Sequence, residues 1–448
     1  MAAVTIGDSK EEYKLLLDSA ASNTWVMSED CSTEACGKHN LFGKSDSKTI
    51  KTDPKTFSIT YGTGFVSGTT ATDTIHIGTS LSTSLTFGIA TNVSSDFLQY
   101  PMDGIMGLSR GTSTSGNGTP LIVEALANAK LISSKLYGLH LGRAKDGKND
   151  GELNLGEVNK ERFSGDLNWI DSVKSDRGFW EVPVADIGFG GKTIGLKAGD
   201  KTGIIDTGTS FFYMPPTEAS ALHKLIEGSS QDGENFQVPC STTSPITLKF
   251  GSVTYNMSAT DWVGDKNEDS GLCNSKIIGR KTFQENQWLV GDAFLKNVYT
   301  AFDYEKGRVG FGVKSGNATQ QSATSSSSAS PSAPSGSSGT STLILVTDSS
   351  STPFPVTTRT TSSSASAAAL PTVIYSPSPF LPSSASAPLT NPSSPPGPGS
   401  GSTTGNSPAA TSGTGSSGPT PAGSGAVAAV PASAFALSVA FGFFAVFV

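Results

Sequence analysis

Cysteine and histidine are scarce in this 448-residue sequence, with four of each. The cysteines fall as Cys31 and Cys36, then Cys240 and Cys273, without the paired short knuckles of a zinc site, and His39, His76, His140 and His223 are scattered. A metal site is therefore not expected, and no cofactor is implied. An even cysteine count with one pair in each half suits two disulfides and an oxidising compartment. Basic clusters are also absent. The 38 acidic and 31 basic residues give a net charge of −7, which leaves no electrostatic footprint for nucleic acid. Such a surface is tolerable in acid, where protonation of carboxylates lowers the net negative charge.

Charge all but disappears after Lys314. Beyond it only Asp348 and Arg359 are charged, and Ser, Thr, Pro, Gly and Ala fill nearly everything else. So little apolar surface cannot offset chain entropy, and residues 315–425 read as a disordered, O-glycosylated stalk. Residues 426–448 end in an apolar run that carries no charge and follows small residues such as Ser416, Gly418, Ser424 and Gly425. That pattern suits a GPI-attachment signal; a C-terminal membrane anchor is the alternative, although no positive residue follows the run to hold it. Sequons at Asn92, Asn117, Asn256 and Asn317 agree with a secretory route. Residues 1–17 nevertheless lack a basic segment followed by a long apolar run. A GPI-anchored protein must enter the secretory route, so the expectation is that the leader and any pro-segment are missing from this sequence.

What is present lies in residues 1–314: short alternating apolar runs, aromatic residues and frequent glycines, the composition of a large β unit. One pattern occurs twice. Leu15-Leu16-Leu17-Asp18-Ser19-Ala20-Ala21-Ser22 and Gly203-Ile204-Ile205-Asp206-Thr207-Gly208-Thr209-Ser210 each lead an apolar strand into a turn that presents a carboxylate. At a similar interval downstream come Ile105-Met106-Gly107 and Leu289-Val290-Gly291. Each half also has one helix candidate, Leu121 to Leu131 with Thr119 as N-cap and Pro120 in the first turn, and Glu218 to Ile226 behind Pro216. Phe57 to Tyr61 suits a strand, with Gly62 and Gly64 at a hairpin tip. Two β lobes from an internal duplication follow, about 1–178 and 179–314.

With these motifs residues 3–313 resemble the pepsin-like (A1) aspartic endopeptidases of the fungal, GPI-anchored kind. The resemblance rests on both Asp loops, Ser22-Asn23-Thr24-Trp25-Val26, Tyr61-Gly62-Thr63-Gly64, Asp103 to Leu108, Trp288 to Leu295, and the closing Phe302-Asp303 and Arg308 to Gly312. It implies an all-β bilobal fold with a cleft between the lobes, and Asp18 and Asp206 as catalytic residues acting on protein or peptide substrates. It also implies that Ser19 and Thr207 cross-bond the loops, that Thr209 bonds Asp206, and that Tyr61, Gly62, Thr63 and Gly208 contact substrate. Trp25 either bonds the Tyr61 hydroxyl or fills the lobe core, and Tyr61 could be an ordinary cross-strand aromatic. The disulfide pairs implied are Cys31 with Cys36 and Cys240 with Cys273. A monomer at the cell surface or wall, working in acid, completes the expectation, together with an N-terminal strand of the interlobe sheet that this sequence lacks.

The first loop departs from the family pattern, with Ala20 where the family has Gly and Ala21 where it has Ser or Thr. At positive φ a methyl at Ala20 would cost ~1 kcal/mol. A catalytically impaired relative serving as a cell-wall binding or structural protein is thus the rival reading. A mucin-like adhesin is a third, but it leaves the duplicated Asp loops unexplained.

Overall fold

A computed structural model describes residues 1–111, 120–147 and 150–315, together with the backbone of two short strands, Thr342–Leu343 and Val373–Tyr375. The remaining stalk, the apolar tail, Thr119, Asn117 and Asn317 lie outside the described residues. Among those described, no helix is long and apolar enough to cross a membrane.

The expected duplication is a duplication of strand pairing. In the first half Tyr13–Asp18 runs parallel to Gly104–Gly107, with Asp18 opposite Gly107. Trp25–Met27 then pairs antiparallel with Gly104–Gly107 and parallel with Leu81–Val93. In the second half Lys201–Ile205 runs parallel to Gln287–Val290, while Phe212–Met214 pairs antiparallel with that strand and parallel with Ile277–Gly279. Each aspartate thus leaves the end of a buried strand held by a parallel neighbour. The apolar-apolar-Gly repeat has a steric origin: a Cβ at Gly107 would lie 2.7 Å from the Ala21 carbonyl oxygen, and one at Gly291 would collide with the Phe211 and Thr209 carbonyls. Only glycine lets the Asp loop pass so closely.

The rest of the first sheet is a long hairpin, Phe65–Ile77 with Leu81–Val93, flanked by Lys51–Thr60. Ala2–Ile6 pairs with both Tyr13–Asp18 and Phe65–Ile77 and closes the sheet on itself. A separate sheet joins the halves. In order it contains Phe163–Asp171, Arg308–Lys314, Val298–Asp303, Leu136–His140 and Gly151–Leu155, the last also paired with Thr342–Leu343 and Val373–Tyr375. On it Tyr137 stacks on Phe302 at 4.5 Å, with Trp180 and Tyr304 against them. Tyr137, Trp180 and Tyr304 all donate to the Leu108 carbonyl, at 2.8, 2.9 and 3.0 Å. Donors from distant parts of the chain are thereby tied to the residue that follows Gly107.

The two disulfides pair as the resemblance implies, Cys31 with Cys36 and Cys240 with Cys273. Both helices are shorter than their sequence patterns suggest. The first is Ile122–Asn128, because Lys130 takes a positive φ that ends it, and the second is Pro216–His223 with proline in the first turn.

His223 closes that second helix and is buried. Its ring stacks on Phe236 at 3.9 Å. The Ala219 carbonyl can only accept, so Nδ1 donates to it (2.8 Å) and Nε2 accepts from the Ser275 hydroxyl (2.9 Å). Burial pulls the imidazole down to about 4. The folded value lies below the unfolded value of about 6.5, so the penalty is absent above that pH and grows as pH falls towards the folded value. His223→Gln should therefore lose roughly 2–3 kcal/mol less stability than the parent between about pH 7 and pH 4, read from urea midpoints. Equal losses would contradict a neutral buried imidazole.

Candidate active site

The two Asp loops meet tip to tip, and the bonds between them are reciprocal. Ser19 Oγ donates to the Ile205 carbonyl (2.7 Å) and accepts from the Thr207 amide (2.9 Å). Thr207 Oγ1 donates to the Leu17 carbonyl (2.7 Å) and accepts from the Ser19 amide (3.1 Å). Both hydroxyls are buried, so each bond is made where water cannot replace it. A serine and a threonine do the same work because only the hydroxyl is used.

Asp18 and Asp206 sit one residue before these bridges, each 1% exposed. Asp18 Oδ1 accepts from the amides of Ala20 (2.8 Å) and Ala21 (2.9 Å). Asp206 Oδ1 accepts from the Gly208 amide (2.8 Å), and its Oδ2 accepts from the Thr209 hydroxyl (2.6 Å). The loops are so close that a Cβ at Gly208 would lie 2.6 Å from the Asp18 carboxyl carbon. Glycine is obligatory there, whereas position 20 carries a methyl without backbone strain: among the described residues Lys130 is the one non-glycine at positive φ.

Burial pushes the Asp18 carboxyl above its ordinary range, opposed by the two amides and a hydrogen bond with Asp206. Burial likewise raises Asp206, and the facing charge of Asp18 adds to it, against the Thr209 hydroxyl. Two carboxyls in this setting cannot both ionise easily, so the pair as a whole retains its second proton. The arrangement holds one carboxylate and one carboxylic acid side by side, a base and an acid ready for the same reaction.

The hairpin tip joins the first loop through packing, since Tyr61 lies in one cluster with Ala21 and Trp25. The Tyr61 amide donates to the Gly64 carbonyl (2.9 Å), and Gly64 takes φ 84°. Gly62 is exposed and Thr63 half-buried, while Tyr61 is buried with its hydroxyl accepting from Trp25 Nε1 at 2.6 Å. Trp25 and Tyr61 both pack edge-on against Phe97, at 5.6 and 6.0 Å. Of the two readings of Trp25, the hydrogen bond to Tyr61 is the one observed, and the indole is also core.

Asn92 is exposed and Asn256 half-buried, both on strands away from the loops. Asp292 is the residue that sequence reasoning passed over. It follows Gly291, is raised by burial, and its charge reaches Asp206. Its place in the motif was visible, but nothing in the sequence indicates burial. The Leu108 carbonyl with its three donors had no sequence signal at all.

The loops differ in their hydroxyl: Thr209 supplies one to Asp206, and Ala21 has none to offer Asp18. A hydroxyl donor favours the ionised form, so Ala21→Ser should lower the Asp18 value and move the acidic limb of the kcat/KM profile to lower pH. One charge-assisted bond limits the shift to about one pH unit. An unmoved or raised limb in a folded variant would show that this missing donor does not set the acidity.

A family model described as eukaryotic aspartyl protease matches residues 1–314. The chain is 42% identical over 323 residues to a probable aspartic-type endopeptidase CTSD of Trichophyton verrucosum, covering 72% of this chain and 62% of the relative. It is 39% identical over 316 residues to the aspartic-type endopeptidase ctsD of Aspergillus fumigatus, covering 70% and 65%. Pepsin A of Bos taurus is 30% identical over 313 residues, covering 68% and 82%. The chain thus spans about 62% of the length of the first of these relatives. With a family match over residues 1–314 and the paired Asp loops in place, the chain belongs to the eukaryotic aspartyl protease family.

Proposed function

We propose that this chain is an aspartic endopeptidase that hydrolyses peptide bonds in proteins, with Asp18 and Asp206 as its catalytic residues. The observation that carries this reading is the pair of buried carboxyls, one from each half, bridged by the reciprocal bonds of Ser19 and Thr207. Peptide hydrolysis without a side-chain nucleophile needs a water made basic and a carbonyl made electrophilic. In this reading Asp18 takes a proton from the water as it attacks, and Asp206 gives its proton to the carbonyl oxygen. The attack forms a tetrahedral diol, and its collapse returns a proton to the leaving amine. Such a cycle needs the pair singly protonated, which favours an acid optimum.

An extended peptide fits between the loops and the hairpin tip, where the backbone of Gly62 and Thr63 is positioned to bond it as a neighbouring strand would. Tyr61, held by Trp25, closes the site over it. The relatives' names support this class of reaction. In the same proposal a two-lobed catalytic unit over residues 1–314 acts as a monomer at the cell surface or wall, carried on the stalk of residues 315–425 and attached through a GPI signal in 426–448. The unstrained backbone at Ala20 removes the main argument for the impaired relative.

Asp18→Asn and Asp206→Asn keep shape and lose the titrating group, so each should cut kcat/KM on a denatured protein at acid pH by at least roughly a thousand-fold with the melting curve unchanged. Near-parent turnover in either variant would refute the assignment.

A further inference from the structure

The methyl of Ala20 has a neighbourhood that its place in the chain does not suggest. Ala20 is 1% exposed and packs in an apolar cluster whose other buried members are Phe179, Ile204, Tyr213, Ile278 and Leu289. All five come from the second half of the chain. Ile204 lies on the strand that runs into Asp206, and Leu289 on the strand parallel to it. Ala21, next in sequence, faces the opposite way, into the first-half cluster that contains Trp25, Tyr61 and Phe97. The first loop is therefore gripped by a different half of the molecule at each of two successive residues. The amides of those same residues bond Asp18 Oδ1.

We propose that Ala20 is a positioning residue: its methyl latches the first active-site loop onto the strands that carry Asp206, and so keeps two amides aimed at one oxygen of Asp18. This rests on the endopeptidase reading only for its consequence in turnover; the latch itself is a matter of packing. A glycine at 20 has no Cβ to contribute to this cluster and samples more backbone conformations. The amides then spend less time on Oδ1, and the ionised form of Asp18 loses part of its support. Asp206 also faces Asp18, with the hydroxyls of Tyr61 and Tyr137 within electrostatic range, and Asp292 acts on Asp206. None of these groups is altered by removing the methyl. A symmetric latch is impossible on the other side, because a Cβ at Gly208 would meet the Asp18 carboxyl.

The test is a carbon-13 carboxyl titration of the full chain, with the Asp18 resonance assigned by its loss in Asp18→Asn. Ala20→Gly should raise the Asp18 midpoint by roughly half a pH unit, and the acidic limb of kcat/KM should follow. Ile278→Ala, which loosens the same cluster while leaving the sequence of both loops unchanged, should shift it in the same direction by less, and it decides alone if Ala20→Gly does not fold. A lower melting temperature with an unmoved or lowered midpoint would overturn the proposal and leave Ala20 as packing only. A parent protein that cleaves no denatured substrate in acid would sink the endopeptidase reading, while the carboxyl titration would still decide the role of Ala20.

Discussion

Everything at the centre of this molecule depends on holding two carboxyls from distant parts of the chain against each other in a buried place. Burying one such group is costly, and burying two side by side costs more. The structure meets that cost with a closed set of bonds. Each loop gives a hydroxyl to the backbone carbonyl before the other loop's aspartate, and each hydroxyl accepts the other loop's amide. No group in the bridge is left without a partner, which is the condition for a buried polar network to specify one geometry.

That bridge in turn depends on backbone passing close to backbone. Gly107 and Gly291 let the parallel strands approach the Asp loops, and Gly208 lets one loop pass the carboxyl of the other. Below them the Leu108 carbonyl collects Tyr137, Trp180 and Tyr304, so the sheet that joins the halves is anchored next to the first loop. The Cys31–Cys36 disulfide belongs to the cluster that holds Trp25 and Tyr61, and so stiffens the wall against which the hairpin tip rests. Geometry at the dyad is thus a property of both halves together.

Much of this was legible in the sequence because the duplication repeats residues whose roles are steric or hydrogen-bonding. Asp and small residues at the turn, and apolar-apolar-Gly downstream, are constrained in type and point to the loops, while the bridge and the Thr209 bond were implied by the family resemblance. The Trp25 and Tyr61 pair was half legible: both residues stood out, but two aromatic roles fitted equally until the 2.6 Å bond was placed. The first helix was overestimated because its apolar pattern continues past Asn128, whereas the chain turns at Lys130. Ala20 is more instructive. As a departure from glycine it suggested strain, but its φ is ordinary and its methyl is packed by the opposite half. Sequence gives the residue; which neighbours surround it depends on contacts across about 160 positions or more, to which local reasoning is blind.

The central claim is that Ser19 and Thr207 act as one device. A double-mutant cycle on Ser19→Ala and Thr207→Val, read in kcat/KM at acid pH, tests it most directly. If the bridge is reciprocal, either change breaks both sides, and the double variant should be little worse than the worse single one, a coupling of about 2 kcal/mol or roughly thirty-fold. Losses that simply add would contradict the account, because the two hydroxyls would then be bracing their own loops independently.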